Sequence, residues 1–228
     1  MSSLIGVAIP CYKYHIPVLK RCLDSIEAQT VKPAFVVVHC SSSRAEDIPE
    51  VYRSSYSFLL RIVTIEQRLN AAQNRNRAAE ILLEAGCQIF SFFDCDDEMH
   101  PQRLEMICEA WKKFPQTQII LHSYFYTAED LGSPFPMYPQ VSMSVNTLRK
   151  APSGCAVVEG DWRARIHHSQ VTVSKDIALK HRFPEDASLE RREDSLFCGA
   201  VLSSPGIQSV YIKNSLSKYY EEGATREV

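Results

Sequence analysis

The acidic cluster Asp94-Cys95-Asp96-Asp97 contains the residue types best suited to binding a metal ion. Carboxylates separated by one residue can project together from a turn and hold a hard cation such as Mg²⁺ or Mn²⁺. Such a cation could neutralise a diphosphate and act as a Lewis acid when that group departs. Taken alone, however, the cluster is more typical of a helix start, where Asp97 or Glu98 would cap a helix that begins near Pro101.

The position of the cluster in the chain favours the metal site. The cluster directly follows residues 87–93, an apolar run that predicts a buried strand because only Gln88 and Ser91 interrupt it. Ligands of open α/β sheets bind outside the carboxyl ends of the strands, and the cluster lies at such an end. Cys95, between the two carboxylates, is small and would let the backbone approach a ligand closely.

Strand and helix patterns alternate through the first half of the chain, which predicts an α/β domain with a mainly parallel central sheet flanked by helices. The first strand is expected to end at Pro10, and the Ser41-Ser42-Ser43 run is expected to be a loop. Residues 127–165 carry four prolines and little periodicity, so long loops of the kind that often bind ligands are expected there. The predicted strands are 4–9, 34–38, 59–65, 87–93, 118–125 and 171–173; the predicted helices follow Pro17 and Pro101 and span 71–85 and 194–202, with a loop at 186–193.

Composition excludes several classes of function. With 25 basic and 27 acidic residues the formal net charge is −2, and no basic patch indicates nucleic-acid binding. No stretch reaches the roughly 20 apolar residues of a membrane-spanning helix and no signal peptide is recognisable, so no transmembrane segment and a cytoplasmic location are expected. The eight cysteines are widely spaced and include no Cys-x-x-Cys pair, which predicts free thiols rather than a zinc site.

Four motifs, in order along the chain, resemble those of the family 2 glycosyltransferases, which have the GT-A (Rossmann-like) fold. The resemblance covers residues 4–111 closely and continues more loosely to about residue 220. It implies a nucleotide-sugar donor, a divalent cation (Mn²⁺ or Mg²⁺) and inversion at the anomeric carbon. The motifs are Val7-Ala8-Ile9-Pro10-Cys11-Tyr12, Cys22-Leu23-Asp24-Ser25-Ile26-Glu27-Ala28-Gln29, Arg75-Asn76 and Phe93-Asp94-Cys95-Asp96-Asp97.

Within the resemblance, most donor-site roles fall on matching residues. Pro10 and Tyr12 match the loop that holds the nucleotide base, and Arg75 matches the arginine near the diphosphate and the acidic motif. Asp94 matches the residue that touches the ribose or the metal, and Asp96 matches the principal metal ligand. The alternatives are ordinary ones: Tyr12 could be a packed aromatic ring, and Arg75 a helix-surface charge or a structural ion pair.

One part of the family pattern is missing after the second strand. The family usually has Asp-Asp-Gly-Ser there, and its acidic residue binds the base, whereas this chain has His39-Cys40-Ser41-Ser42-Ser43. Ser41, Cys40 or backbone groups are the candidates to replace that carboxylate. The identity of the base is therefore left open.

The general base that the resemblance implies is Asp194, with Glu193 in reserve. An inverting transfer needs a base that takes the proton of the acceptor hydroxyl, and Glu193-Asp194 matches the Glu-Asp motif of the family. The alternative is an acidic cap of a helix. Trp162 and His167-His168 lie where related enzymes bind the acceptor. Trp162 could stack on a sugar or be a buried structural residue, and the histidines could contact the diphosphate or metal or be ordinary packed or surface residues. The histidine that often follows the late aromatic pair, here Tyr219-Tyr220, is missing, so a third metal ligand there is unsupported.

Together these observations predict one domain over residues 1–228 that moves a sugar from a nucleotide-diphosphate donor, most simply a UDP-sugar, to a hydroxyl of a glycan or glycoconjugate. Residues 1–125 would bind the nucleotide sugar and residues 126–228 the acceptor. Two alternatives remain: a degenerate member that binds a nucleotide or glycan without turnover, and a sugar nucleotidyltransferase. The latter would need a glycine-rich loop with a basic residue near the first strand, which Ile9-Pro10-Cys11-Tyr12 does not supply.

Overall fold

The computed structural model describes residues 4–54, 56–159, 170–189 and 192–221, the side chains of residues 53 and 54 excepted. No helix within these ranges is long and apolar enough to cross a membrane. The strands are β1 (Ile5–Tyr12), β2 (Phe35–Ser41), β3 (Leu59–Ile65), β4 (Ile89–Phe92), β5 (Glu98–Met99), β6 (Ile119–Phe125), β7 (Met143–Val145), β8 (Leu148–Lys150), β9 (Ala156–Val158), β10 (Thr172–Ser174) and β11 (Ser209–Lys218). The helices are α1 (Ile16–Glu27), α2 (Val51–Ser54), α3 (Ala71–Glu84), α4 (Arg103–Lys113), α5 (Ala128–Gly132), α6 (Lys175–Lys180) and α7 (Glu193–Leu202).

Among the described residues, nine strands form one sheet in the order β3-β2-β1-β4-β10-β6-β11-β5, with β7 also paired to β11. The first four strands in this order are parallel, and β10 runs antiparallel between β4 and β6. β11 is parallel to β6 and has β5 and β7 as antiparallel neighbours. The predicted α/β class is confirmed, and the carboxyl ends of β1, β2, β4, β6 and β11 all point to one edge of the sheet.

Buried apolar layers cover both faces of the sheet. Successive side chains of a strand point to opposite faces, so Val7 and Ile9 of β1 pack in the layer that contains α1 and α4. Ala8 packs in the other layer, with α3, α6 and α7. Burial on both faces explains why the central strands are almost wholly apolar. The layers also hold the strand ends, and the residues that follow them, in fixed positions.

β1 continues through Pro10 to Tyr12, so the expectation that Pro10 ends this strand is wrong. The carbonyl of Ala8 accepts a hydrogen bond from the backbone N–H of Phe93 on the β4 side, at 3.0 Å. The backbone nitrogen of Pro10 points to the same side, two residues after Ala8. Among the described residues, the pairing of β1 with β4 ends at Ala8, so no strand there needs a hydrogen bond from the N–H that proline lacks. β2 likewise extends to Ser41, which pairs with Tyr12 and belongs to the strand rather than to a loop.

Residues 127–159, expected to be long loops, contain α5, β7 and the β8–β9 hairpin. The expectation is wrong because these elements are three to five residues long, too short to show a periodic pattern. The hairpin packs against α7 so closely that a Cβ at position 199 would lie 1.8 Å from the carbonyl oxygen of Gly154. Gly199 therefore permits the placement of α7, the helix that begins with the predicted catalytic carboxylates.

Candidate active site

The acidic cluster forms a tight turn at the carboxyl end of β4. The backbone N–H of Asp97 donates to the carbonyl of Asp94 at 3.3 Å, which closes the turn. The Asp97 side chain is 0% exposed, and its Oδ1 accepts the backbone N–H of Tyr220 at 3.1 Å. Arg21 of α1 donates a hydrogen bond to the carbonyl of Asp96. Asp97 thus supports the turn from inside, and Asp96 is more exposed than its neighbours.

Arg75 joins the acidic turn to the start of α7. Its guanidinium donates to Glu193 Oε1 at 2.8 Å and to Asp94 Oδ1 at 3.3 Å, and the residue is 1% exposed. Although burial alone would lower it, the charges of Asp94 and Glu193 raise the pKa of Arg75 above its ordinary value. Arg75 is therefore a charged group buried between two carboxylates and not a charge on the helix surface. The two carboxylates stabilise its guanidinium, since burying a charge without a partner costs much more free energy.

Glu193 and Asp194 occupy the first turn of α7 and are both buried. Asp194 Oδ1 accepts the backbone N–H of Ser195 at 2.6 Å, and the amino end of a helix favours negative charge. Glu193 is committed to Arg75 through Oε1, and its Oε2 is buried without a hydrogen-bond partner in the described part of the chain. The two carboxylates thus have different neighbours: Glu193 pairs with the Arg75 guanidinium, and Asp194 accepts the backbone N–H of Ser195.

The edge formed by the ends of β1 and β2 contains the residues predicted to hold a base. Tyr12 is half-buried and packs edge-on against Tyr14, with ring centroids 5.4 Å apart. Ser41 is fully buried: its hydroxyl donates to the carbonyl of Leu69 at 3.3 Å and accepts from Asn74 Nδ2 at 2.9 Å. Pro10, also buried, lies two residues before Tyr12 on the same strand.

A polar chain beneath this edge was not foreseen from the sequence. Nδ1 of the buried His39 donates to Asn74 Oδ1 at 2.8 Å, and Asn74 passes the chain on to Ser41. Burial lowers the pKa of His39, so the neutral ring is favoured. The only signal in the sequence was a histidine and a serine two residues apart, which would face the same side of a strand.

Thiols lie directly under the site. Cys11 is the register partner of Cys40 on the neighbouring strand, and Cys95 lies in the acidic turn. Hydrogen bonding to the thiols of Cys40 and Cys95, together with burial, raises the pKa of Cys11 well above its ordinary value. All eight cysteines are free, so these three act as small packing residues that let the strand ends approach each other.

The residues after β11 close the site from the side of α1. Arg21 lies 3.7 Å from the ring centroid of Tyr220, and the Tyr220 hydroxyl donates to Glu98 Oε2 at 3.0 Å. Burial, followed by the charges of Asp97, Asp94 and Asp96, raises the pKa of Tyr219 to about 12. The phenol of Tyr219 thus lies in the field of the acidic turn. The position of Arg21 in the sequence gives no indication of this contact with Tyr220.

The described residues contain no group of three or more His, Cys, Asp or Glu side chains placed to hold a metal ion. Of the three aspartates at the turn, Asp94 and Asp96 remain the candidate metal ligands, and burial raises the pKa of Asp96 above its ordinary value. A cation beside Asp96 would offset that cost of burying its charge. The sequence candidates Trp162 and His167-His168 lie outside the described residues.

Known proteins resemble this chain in family and in fold. The family described as Glycosyl transferase family 2 matches residues 6–162 of the chain. Among curated proteins no sequence matches significantly. Among solved structures, S. aureus TarS 1–349 in complex with UDP is 17% identical, with a TM-score of 0.65 over 94% of this chain and 60% of that one. The same protein in complex with UDP-GlcNAc is 16% identical, with a TM-score of 0.70 over 98% of this chain and 59% of that one. The chain thus spans about three fifths of these structures, and the likeness establishes a shared fold.

Proposed function

The chain belongs to glycosyl transferase family 2 and has the GT-A fold, and on that premise we propose that it transfers a sugar from a nucleotide-diphosphate donor, most simply a UDP-sugar, to a hydroxyl of a glycan or glycoconjugate. One observation carries the proposal: buried Arg75 ties Asp94 of the acidic turn to Glu193 of α7. This ion pair brings the predicted donor and base residues to one edge of the sheet. The UDP and UDP-GlcNAc held by the similar TarS structures support the choice of donor.

Asp94 and Asp96 would hold a divalent cation, Mn²⁺ or Mg²⁺, whose remaining ligands would have to come from the donor diphosphate and water. Mg²⁺ is commonly bound by one or two carboxylates plus substrate phosphates, so the lack of a third protein ligand in the described residues is compatible with it. Such a cation, when bound, would neutralise charge on the leaving diphosphate. Asp97 is assigned a structural role because its carboxylate holds the backbone of Tyr220.

The nucleotide base is assigned to the edge between β1 and β2. The half-exposed ring of Tyr12 offers a stacking surface, and Pro10 shapes the strand that carries it. The Ser41 hydroxyl is already hydrogen-bonded to Leu69 and Asn74 inside the fold. Ser41 therefore shapes the base pocket, and backbone groups of the residues that follow it would contact the base directly. Cys95 keeps the turn compact beneath the donor.

Asp194 is assigned as the general base. It would accept the proton of the acceptor hydroxyl while the oxygen forms a bond to the anomeric carbon and the bond to the diphosphate breaks, inverting the configuration. Glu193 is assigned a positioning role because its Oε1 is committed to Arg75.

A panel of nucleotide sugars tests the proposed function. The full chain is incubated with UDP-, GDP-, TDP- and CMP-sugars, with Mn²⁺ or with EDTA, and release of the free nucleotide is measured. We expect hydrolysis of at least one UDP-sugar that requires the metal. Binding of a nucleotide without any release would instead identify a degenerate binding protein, and neither binding nor release would overturn the whole site assignment.

Asp194→Asn is expected to lower turnover of that donor by about a hundredfold or more, since a general base typically contributes 10²–10⁴-fold. Donor affinity should change little, because the base acts on the acceptor side. Steady-state kinetics and calorimetric titration with the donor separate the two quantities. Asp176→Asn is the matched control, because Asp176 is an exposed acid in the first turn of α6. Equal losses in both variants, or a loss of donor binding alone, would reassign Asp194 to a helix cap.

A further inference from the structure

Arg103, the first residue of α4, is 0% exposed and contacts the residues that lead into the acidic turn. Its Nη2 donates to the Ser91 hydroxyl at 3.0 Å and to the carbonyl of Phe92 at 3.1 Å. Its guanidinium lies 4.8 Å from the ring centroid of Phe93, the residue directly before Asp94. Arg103 therefore holds the chain in place immediately before the acidic turn begins.

Packing alone does not account for a charged side chain at this position. Arginine is almost never fully buried unless it is paired, yet Nε and Nη1 of Arg103 are buried without a hydrogen-bond partner in the described part of the chain. A positive charge is also disfavoured at the amino end of a helix, because the helix dipole favours anions there. Both hydrogen bonds to β4 come from the single atom Nη2, so a neutral donor could make them as well.

The charge of Arg103 interacts with the acidic turn. Burial lowers the pKa of Arg103 to about 9, and the negative charges of Asp97 and Asp94 oppose that decrease. The guanidinium therefore keeps its positive charge at neutral pH and lies in the field of the turn. Asp97 is itself 0% exposed, so water and salt screen this interaction only weakly.

A fixed positive charge at this place has opposite effects on the two ligands of the proposed donor site. It repels a divalent cation that arrives alone, and it attracts the negative charge of a diphosphate. Arg75, which contacts Asp94, adds a second buried positive charge at the turn. The described residues also contain no group of three metal-binding side chains, so a cation without the diphosphate would have few protein ligands.

We propose that Arg103 is a positioning residue of the donor site: it holds the end of β4 and keeps a buried positive charge next to the acidic turn, so that the divalent cation binds strongly only together with the donor diphosphate. The proposal rests on the proposed function and specifies how its site controls the binding of the metal. A purely structural arginine would act differently, because its loss would loosen the turn and weaken the binding of both ligands.

Separate titrations of the full chain with Mn²⁺ alone and with UDP alone test the proposal without turnover. Electron paramagnetic resonance measures the binding of Mn²⁺, and calorimetry in the presence of EDTA measures the binding of UDP. Arg103→Gln removes the charge and keeps a hydrogen-bond donor. In this variant we expect Mn²⁺ to bind at least about tenfold more tightly and UDP to bind about tenfold more weakly, an effect of the size expected for a poorly screened charge. Arg103→Met also removes the donor and should change both affinities in the same directions as Arg103→Gln.

Three further variants make the result specific. Arg103→Lys keeps the charge and should bind each ligand within about threefold of the unmodified chain. Lys112→Met removes an exposed positive charge in the last turn of α4 and should change neither affinity, because solvent screens that charge. Adding Asp96→Asn to Arg103→Gln should abolish the tighter binding of Mn²⁺, which would place that binding at the acidic turn.

The direction of the two changes decides the outcome. If both affinities fall in Arg103→Gln and Arg103→Met, Arg103 only stabilises the turn, and if neither changes, its charge does not act on the donor site; either result overturns the proposal. Absence of Mn²⁺ binding in every variant overturns it as well. When the unmodified chain binds UDP in the presence of Mn²⁺, such a failure leaves the proposed function intact. When it binds no UDP under any condition, the proposed function fails, and the Mn²⁺ titration still decides whether Arg103 repels a cation.

Discussion

Asp96→Asn is expected to reduce metal-dependent turnover of the nucleotide sugar by about a thousandfold, or roughly 4 kcal/mol in activation free energy. Asparagine has nearly the same shape but lacks the negative charge that a hard cation requires. The backbone of the turn should persist, because Arg21 contacts the Asp96 carbonyl and not its carboxylate. The measurements are steady-state hydrolysis over a range of Mn²⁺ concentrations and binding of UDP with and without the metal.

The control for this variant is Glu109→Gln, which removes one carboxylate from the exposed face of α4. It should leave both the rate and the metal dependence unchanged. A variant Asp96→Asn with normal rates and normal dependence on Mn²⁺ would show that Asp96 is not a metal ligand. A variant that loses activity but still needs the same Mn²⁺ concentration would move the metal to Asp94 alone.

The order of the central strands and helices could be predicted from hydrophobic patterns, because strands buried on both faces of a sheet are continuous apolar runs. The helix predicted over residues 71–85 spans Ala71–Glu84, and Gly86 adopts the positive φ of 81° expected of a residue that ends a helix. Pro10 misled the prediction because proline is excluded only where a partner strand needs its N–H. That condition depends on how far β4 extends, which sequence periodicity does not report.

The C-terminal part of the sheet was harder to predict for a different reason. β11 contains Lys213 and Asn214 in its middle, and its pairing with β6 shifts register after Ile212. A bulge of this kind breaks the strict alternation that identifies a strand from sequence. The residues that close the site, Tyr219 and Tyr220, follow this strand, so their nearness to the acidic turn could not be derived from spacing alone.

Some features of the site could be predicted from the sequence, and others could not. The acidic turn could be placed from the sequence because a cluster after a buried strand must lie at the carboxyl edge of the sheet. The pairing of Arg75 with Glu193 could not be predicted, because 118 residues separate them and only the folded sheet brings α3 and α7 together. The His39–Asn74–Ser41 chain has the same origin.

Arg75→Met is expected to destabilise the fold by about 3–5 kcal/mol, because it removes one partner of a buried ion pair and leaves charge without compensation. Methionine keeps much of the volume, so the loss would come mainly from the carboxylates of Asp94 and Glu193. Denaturant unfolding measures it as a lower midpoint at unchanged slope. Arg77→Met, two residues along the same helix, removes an exposed partner of Glu80 and should cost no more than about 1 kcal/mol.

A compensated variant separates a structural role of Arg75 from a catalytic one. Adding Asp94→Asn and Glu193→Gln to Arg75→Met neutralises the whole buried group, so a large part of the stability should return, as it does when buried ion pairs are replaced together. Donor hydrolysis should not return, because Asp94 has lost the charge assigned to the cation. Recovery of both stability and activity would mean that Arg75, Asp94 and Glu193 form only a structural bridge. If Arg75→Met alone unfolds at the same midpoint as the unmodified chain, the ion pairs of Arg75 contribute little to stability. Other contacts would then hold the acidic turn next to α7.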